Sequence, residues 1–339
     1  DLTGSVSVVK MKDVADTPTG NVIQSLQGRV AGMTVTTDGT PGGLSTGTSI
    51  RGASSFRGDA NGPLYVIDGV MTRENPGTIL SSNDVESIQV LKDAASASIY
   101  GAQAANGVII ITTKRARAGE SRVTFDATLT LQTYNSGLDL LDAYQWGDVY
   151  WSAYKYAHNG ATPSSAIYGN GATANLQTYK NLNGVDVLPQ TTDWEKEIHR
   201  TALMQTYSIG LSKGSDNGSS SLSLSWLDHD GIVKGSDFQR VNSRFSSDYG
   251  FLNNRLRAGG NVAVNWWRAH YMPGGAEENA VKQHPAKAVY DAEGVYVDQI
   301  NDILGDAPNM MRLIENNKGN KHEYWRVFGN AYLQIEPVK

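Results

Sequence analysis

The chain has 339 residues, a formal net charge of −5 and no cysteine. This charge balance offers nucleic acid no basic face, and the absence of thiols excludes disulfides and thiolate metal sites. No stretch approaches the roughly 18 uninterrupted apolar residues of a membrane-crossing helix; the longest run, 108–111, suits one buried strand. That test does not reach membrane β-strands, whose hydropathy signal is much weaker. Neither a basic n-region nor an apolar h-region opens the sequence, as expected of a mature or trimmed product.

Residues 1–118 read as a small α+β domain. Val6–Lys10 suits a short strand. Over 21–30, Val22, Ile23, Leu26 and Val30 recur at helical spacing, with Gly28 and Gly32 as stop signals, which predicts a helix. Residues 33–37 alternate as a strand, and 38–48 form a loop rich in Gly, Pro, Thr and Ser. Leu64–Ile67 is a β-branched and aromatic run, stopped by the turn signal Asp68-Gly69. The spacing then predicts a short helix over 83–88 behind a Ser82 or Asn83 N-cap and a strand over 89–92. A small helix over 94–100, ended by Gly101, and a last strand over 107–114 complete the domain.

From residue 121 the pattern changes to long alternating segments. Val123, Phe125, Ala127, Leu129 and Leu131 share one parity, interleaved with Thr124, Asp126, Thr128 and Thr130. Five more segments, over 206–212, 221–226, 241–251, 255–266 and 324–335, alternate in the same way. Strands of globular domains usually run about 5–6 residues, whereas a tilted membrane strand needs about 9–11. Apolar parity facing lipid and polar parity facing a lumen is the expected arrangement. Trp226, Tyr249, Phe251, Trp266, Trp267 and Trp325 lie near strand ends, where aromatic girdles sit. A soluble β-sandwich also alternates. The short connection at 212–220, set against long irregular ones at 134–202 and 269–320, favours the membrane barrel.

Four motifs in the first domain carry a family resemblance. They are Leu26-Gln27-Gly28-Arg29-Val30-Ala31-Gly32-Met33, Ser49-Ile50-Arg51-Gly52-Ala53-Ser54-Ser55, Pro63-Leu64-Tyr65-Val66-Ile67-Asp68-Gly69-Val70 and the long block 85–114. Leu138-Asp139-Leu140-Leu141-Asp142-Ala143, Thr192-Asp193-Trp194, Asp228-His229-Asp230-Gly231-Ile232-Val233 and Tyr290-Asp291-Ala292-Glu293-Gly294 agree with them. With these features the chain resembles the SusC/RagA group of TonB-linked outer-membrane proteins. The resemblance implies a plug over 1–118 and a barrel wall over 119–339. Family members have 22 wall strands, so the six legible here imply a fragment, with the TonB-binding segment and further strands lying outside this sequence. It also implies TonB–ExbB–ExbD as the energy source and a SusD-like surface lipoprotein as lid. The cargo would be an oligosaccharide or, less commonly, a peptide. Siderophore and cobalamin importers share the plug-in-barrel plan, and a non-transporting glycan-binding surface protein is the other alternative.

No catalytic, metal or cofactor constellation appears, so an enzyme is not expected. His158, His199, His229, His270, His284 and His322 are scattered, with no H-E-x-x-H spacing. Asp228-His229-Asp230-Gly231 starts like a calcium loop but reaches Gln239 where a bidentate Glu belongs. The expected functional residues lie in the plug. Arg51, beside Gly52, together with Glu86, Lys92, Asp93 and Arg115, offers ion pairs either to the lumen wall or within the plug itself. Asp68-Gly69 and Tyr100-Gly101 read as turn and helix-stop signals, and with Asn106-Gly107 they mark the family motifs. Tyr144, Trp146, Tyr150, Trp151, Tyr154 and Tyr156 could stack on sugar rings or pack the long loop that holds them.

Overall fold

The computed structural model describes residues 6–13, 19–52, 62–116, 119–252, 255–297 and 307–336. Ala53, Ser54 and Ser55 of the second motif, and Arg117 with the residue after it at the expected domain boundary, lie outside these.

In chain order the plug forms β1 (Val6–Lys10), β2 (Met33–Thr36), β3 (Gly47–Ile50), β4 (Leu64–Ile67), β5 (Val70–Thr72), β6 (Val85–Leu91), α1 (Ala94–Ala97) and β7 (Val108–Thr113). Five strands make one sheet in the order β1-β6-β7-β4-β5, with β4 and β7 parallel, while β2 and β3 pair as a separate hairpin. Val22, Ile23, Leu26, Ile67, Ile88, Val90, Ile109 and Ile111 close a core between sheet and loops. The central strands read as continuous apolar runs because both faces are covered.

Two of the expected plug helices differ. Over 21–30 only a 3-10 turn at Gln24–Leu26 forms, because Gly28 and Gly32 take φ values of 72° and 76°, which halt helix propagation. Over 83–88 the helix shrinks to a 3-10 turn at Ser82–Asp84, and Val85 already begins β6. Asp68 and Gly69 form the two-residue β4–β5 turn with φ of 47° and 89°. Positive φ at both positions is the hairpin geometry that Asp-Gly favours.

The wall begins with β8 (Ser121–Gln132). A long excursion follows, holding α2 (Ala143–Ala157), the small pair β9 (Tyr179–Lys180) and β10 (Asp186–Val187), and α3 (Trp194–Ile198). Then come β11 (Ala202–Ser215), β12 (Gly218–Asp230), β13 (Asp237–Phe251) and β14 (Leu256–His270), followed by α4 (Ala276–Lys282), α5 (Met310–Asn317) and β15 (Lys321–Ile335). The six long strands form one antiparallel sheet in the order β15-β14-β13-β12-β11-β8, which is part of a β-barrel wall.

The predicted parity holds. Val123, Phe125, Leu131, Leu224, Phe245, Val327 and Leu333 are exposed on the outer face, while Ser208, Ser225, Arg240, Asn242, Arg244 and Asn265 are buried on the inner one. Successive register partners Tyr207, Trp226, Val241, Trp266 and Trp325 form an outer aromatic row, with Tyr207 stacked on Trp226 at 5.7 Å. Trp267 has the opposite parity: it packs inward beside Phe238 at 5.9 Å rather than joining the girdle. Along β13 the outer row lies ten residues from Phe251. At about 3.3 Å per residue and a tilt near 40° this spans roughly 25 Å, the height of an outer-membrane apolar band.

The long connections all leave the same end of the sheet and build their own cores, one around Trp151, Ile167, Tyr168 and Tyr179 and another around Trp194, Ala280 and Met310. α2 starts with a capping box in which Asp142 accepts from Gln145 N–H at 2.8 Å and the Gln145 side chain accepts from Asp142 N–H at 3.0 Å. Of the loop aromatics, Trp151 is buried and Trp146 and Tyr150 pack against its core cluster, whereas Tyr144 and Tyr156 stay exposed. Burial pushes the Tyr179 hydroxyl up to about 12 and holds the His284 imidazole down to about 4. His284 Nδ1 accepts from Ala286 N–H at 3.0 Å, which requires that nitrogen to be unprotonated.

Candidate functional site at the plug–wall interface

The plug touches the wall through polar groups set at fixed points of its turns. At the β4–β5 turn, Asp68 Oδ1 accepts from Thr113 N–H at 3.0 Å, and Oδ2 accepts from Thr113 Oγ1 at 2.7 Å and from Arg244 Nη1 of β13 at 2.8 Å. The two side chains are only 2% and 7% exposed, so this is a buried ion pair. The Arg244 guanidinium also lies 5.5 Å from the Phe328 ring of β15, which packs against the plug core. From β15, Asn330 Nδ2 donates to Asp68 O at 3.1 Å, and Arg326 pairs with Glu74 at 2.9 Å. A buried pair is costly to break from one side only, because the remaining charge has no solvent to turn to.

A second anchor lies nearer the loop end. Gly42, at φ 70°, donates its N–H to His229 Nδ1 of β12 at 2.9 Å. That bond leaves the hydrogen on Nε2, which donates to Gln132 Oε1 of β8 at 2.9 Å. The Phe238 ring lies flush on Gly42: a Cβ there would stand 2.2 Å from Phe238 Cδ1. Arg240, fully inside, donates to Gly20 O at 3.2 Å and to Gly77 O. In the amide orientation that satisfies both of its groups, Asn242 accepts from Ser81 N–H at 3.1 Å. Burial pushes the Asp84 carboxyl up, against the opposing pull of the Ser223 hydroxyl of β12 and of Arg244, Arg240 and Lys114.

The sequence-derived candidates take varied places. Asp68 reaches the wall. Lys92 Nζ donates to Ala31 O at 3.0 Å and Asp93 caps α1 through Ser96 N–H at 2.8 Å, both inside the plug. Glu86 and Arg115 line a cavity of about 790 Å³ between plug and wall. Arg51, at φ 60°, and Gly52 are exposed, and the Arg51 N–H donates to Gly32 O at 2.8 Å. Tyr100 is half-buried ahead of the kink at Gly101, where φ is 69° and ψ −163°. Asn106 Nδ2 donates to Gly62 O at 3.5 Å, and a Cβ on Gly107 would press on Leu91 O at 3.0 Å. On the wall side of the site, Arg244 carried no sequence signal beyond its inward parity, Arg240 lay just outside the predicted segment 241–251, and His229 stood in a family motif that did not indicate its contact with the plug.

A family model for the TonB-dependent receptor plug domain matches residues 1–108. TonB-dependent receptor SusC of Bacteroides thetaiotaomicron is 32% identical over 322 residues, covering 90% of this chain and 29% of SusC. TonB-dependent receptor P26 of Formosa agariphila is 31% identical over 348 residues, covering 99% of this chain and 32% of that protein. The RagAB peptide importer in its closed-closed state superposes on the whole chain with a TM-score of 0.76 at 25% identity, covering 40% of the RagAB chain. The chain belongs to the SusC/RagA TonB-dependent receptors. It spans under a third of the length of the curated relatives cited here. As a SusC/RagA receptor it is an outer-membrane β-barrel protein, which accounts for the apolar outer face and the aromatic row.

Proposed function

We propose that this chain supplies the plug, over 1–118, and the first wall strands, over 119–339, of a transporter that imports an oligosaccharide across the bacterial outer membrane. TonB, driven through ExbB–ExbD, would pull the plug, and a SusD-like lipoprotein would cover the mouth on the long-loop side. The observation that carries the reading is the plug–wall interface: a domain with its own core, attached inside a wall by a few discrete polar ties. Such an interface can part and re-form without unfolding either side. Tyr144 and Tyr156, exposed on the loops, are suited to stacking on sugar rings. Peptide cargo is the second reading, favoured by the description of RagAB as a peptide importer. Deleting the receptor gene and feeding tritiated plant-glycan hydrolysate or tritiated tryptic casein digest separates the two. Loss of glycan uptake alone supports the first reading, and loss of peptide uptake alone replaces it with the second. Unchanged uptake of both refutes import of either.

A further inference from the structure

The inner face of the wall is divided by side-chain size. Strands β13 to β15 send long groups to the plug: Arg240, Arg244, Phe328, Arg326 and Asn330 all reach it. On β8 the longer Arg122 and Asp126 line the gap on either side of Thr124, and on β11 and the turn-side half of β12 the inward positions are instead Ser208, Gly210, Ser212, Ser221 and Ser223. Such short side chains cannot bridge to the plug. In that half Asn83 Nδ2 donates to Ser208 Oγ at 3.1 Å, and the Ser223 hydroxyl lies close to the Asp84 carboxyl.

The consequence is a seam of two cavities. The lower, of about 790 Å³, runs between the plug edge at Val8 and Lys10 and the wall down to Glu120 and Arg122 at the turn end of β8. The upper, of about 390 Å³, opens by Gln132 and His229, which lie toward the loop ends of β8 and β12. Thr19 and Ser25 stand in the walls of both cavities, so they form the septum between them. Ser25 is held by its hydroxyl bond to Val22 O at 2.6 Å, and Thr19 by its bond to Asn21 O at 3.0 Å; neither is tied by a charge. Both cavities fall in the range of about 300–1,000 Å³ typical of small-ligand sites, the lower one near its upper end. The hydroxyls and mixed charges of the lower cavity suit hydrated cargo rather than apolar cargo.

We propose that cargo crosses along this seam, between the plug and β8, β11 and β12, past a septum at Thr19 and Ser25, with the Gly42–His229 bond to β12 parting while the plug stays attached to β13 and β15. The inference rests on the importer reading above.

The test uses the full-length receptor, with any cysteine beyond this chain replaced, and two engineered pairs. Asn83→Cys with Ser208→Cys bridges the seam; Glu74→Cys with Arg326→Cys bridges the attached side. Each pair is linked in cells with a short, reducible bis-thiosulfonate, and uptake of the tritiated hydrolysate and digest is measured. Linking the seam is expected to cut uptake at least tenfold, with recovery on reduction, and linking the attached side to change it less than twofold. Unimpaired uptake through a linked seam overturns the proposal. Equal loss with the attached side linked also overturns it, since the plug must then leave as a body. If the unlinked receptor imports neither probe, the importer reading itself fails. Ser212→Trp, which fills the lower cavity without a cross-link, is expected to reduce uptake while leaving plug hydrogen exchange unchanged; undiminished uptake counts against the seam.

Discussion

Changing Asp68 to Asn removes the negative half of the buried pair while keeping the turn, since Asn also tolerates positive φ and still accepts from Thr113 N–H. Arg244 is left charged, 7% exposed and facing a neutral amide. Breaking a buried pair from one side costs about 3–5 kcal/mol. Asp84 lies close enough to attract Arg244, so the lower end, about 3 kcal/mol, is expected. That corresponds to a loss of roughly 150-fold in the equilibrium holding the β4–β5 turn against the wall. Hydrogen exchange of the amides over 64–72 in the detergent-solubilised full-length receptor reads this opening directly. The double variant Asp68→Asn with Arg244→Met should recover most of the loss, because a buried pair replaced by apolar volume is close to neutral. A change under threefold in the single variant, or a double variant as exposed as the single one, would refute the claim that this pair clamps the plug.

Gly42→Ala drives a methyl into Phe238 at a positive φ, so the loop around Gly42 should detach at a cost of about 2 kcal/mol or more, seen as faster exchange there. Phe245→Arg puts a cation midway between the aromatic row and Phe251 on the outer face; it should destabilise insertion into vesicles by roughly 2–4 kcal/mol in a urea titration, whereas Asp126→Arg on the inner face should not. For His284, folding holds the imidazole down from 6.5 to about 4, so its contribution is complete above pH 6.5 and is lost as pH falls through 4. The loop core around Trp146 and Tyr168 should lose up to about 3 kcal/mol over that window by intrinsic fluorescence melting, and His284→Gln should flatten the dependence.

The wall was the most legible part of the sequence because its physics is one-dimensional. Alternation with lipid on one side fixes parity residue by residue, and all six segments became strands. Trp267 misled because its rank beside Trp266 suggested a girdle, although adjacent residues on a strand face opposite ways. The plug was harder. Val85, Ile88 and Val90 fit either a helix or a strand over so short a span, and pairing with β7 decides it. α2 was readable in principle from the Asp142/Gln145 capping box and from Ala143, Gly147 and Trp151 at four-residue spacing, a pattern obscured by the irregular stretches around it. The site was half legible. Asp68-Gly69 was visible as a turn, but its partner Arg244 lies 176 residues away, and no local rule links the two.

The aromatic row also serves as a depth gauge. Arg244 lies three residues from Val241 along β13 toward the turn end, which places its pair with Asp68 roughly 8 Å below the level where the tryptophans meet the lipid headgroups. At that depth the far side of the strand is hydrocarbon, and the near side is plug except where Arg244 edges the lower cavity; with the two side chains only 7% and 2% exposed, mobile ions have little contact with the pair. The grip on the plug should therefore hold equally in fresh water and in brine, and a mechanical pull remains as the means of release.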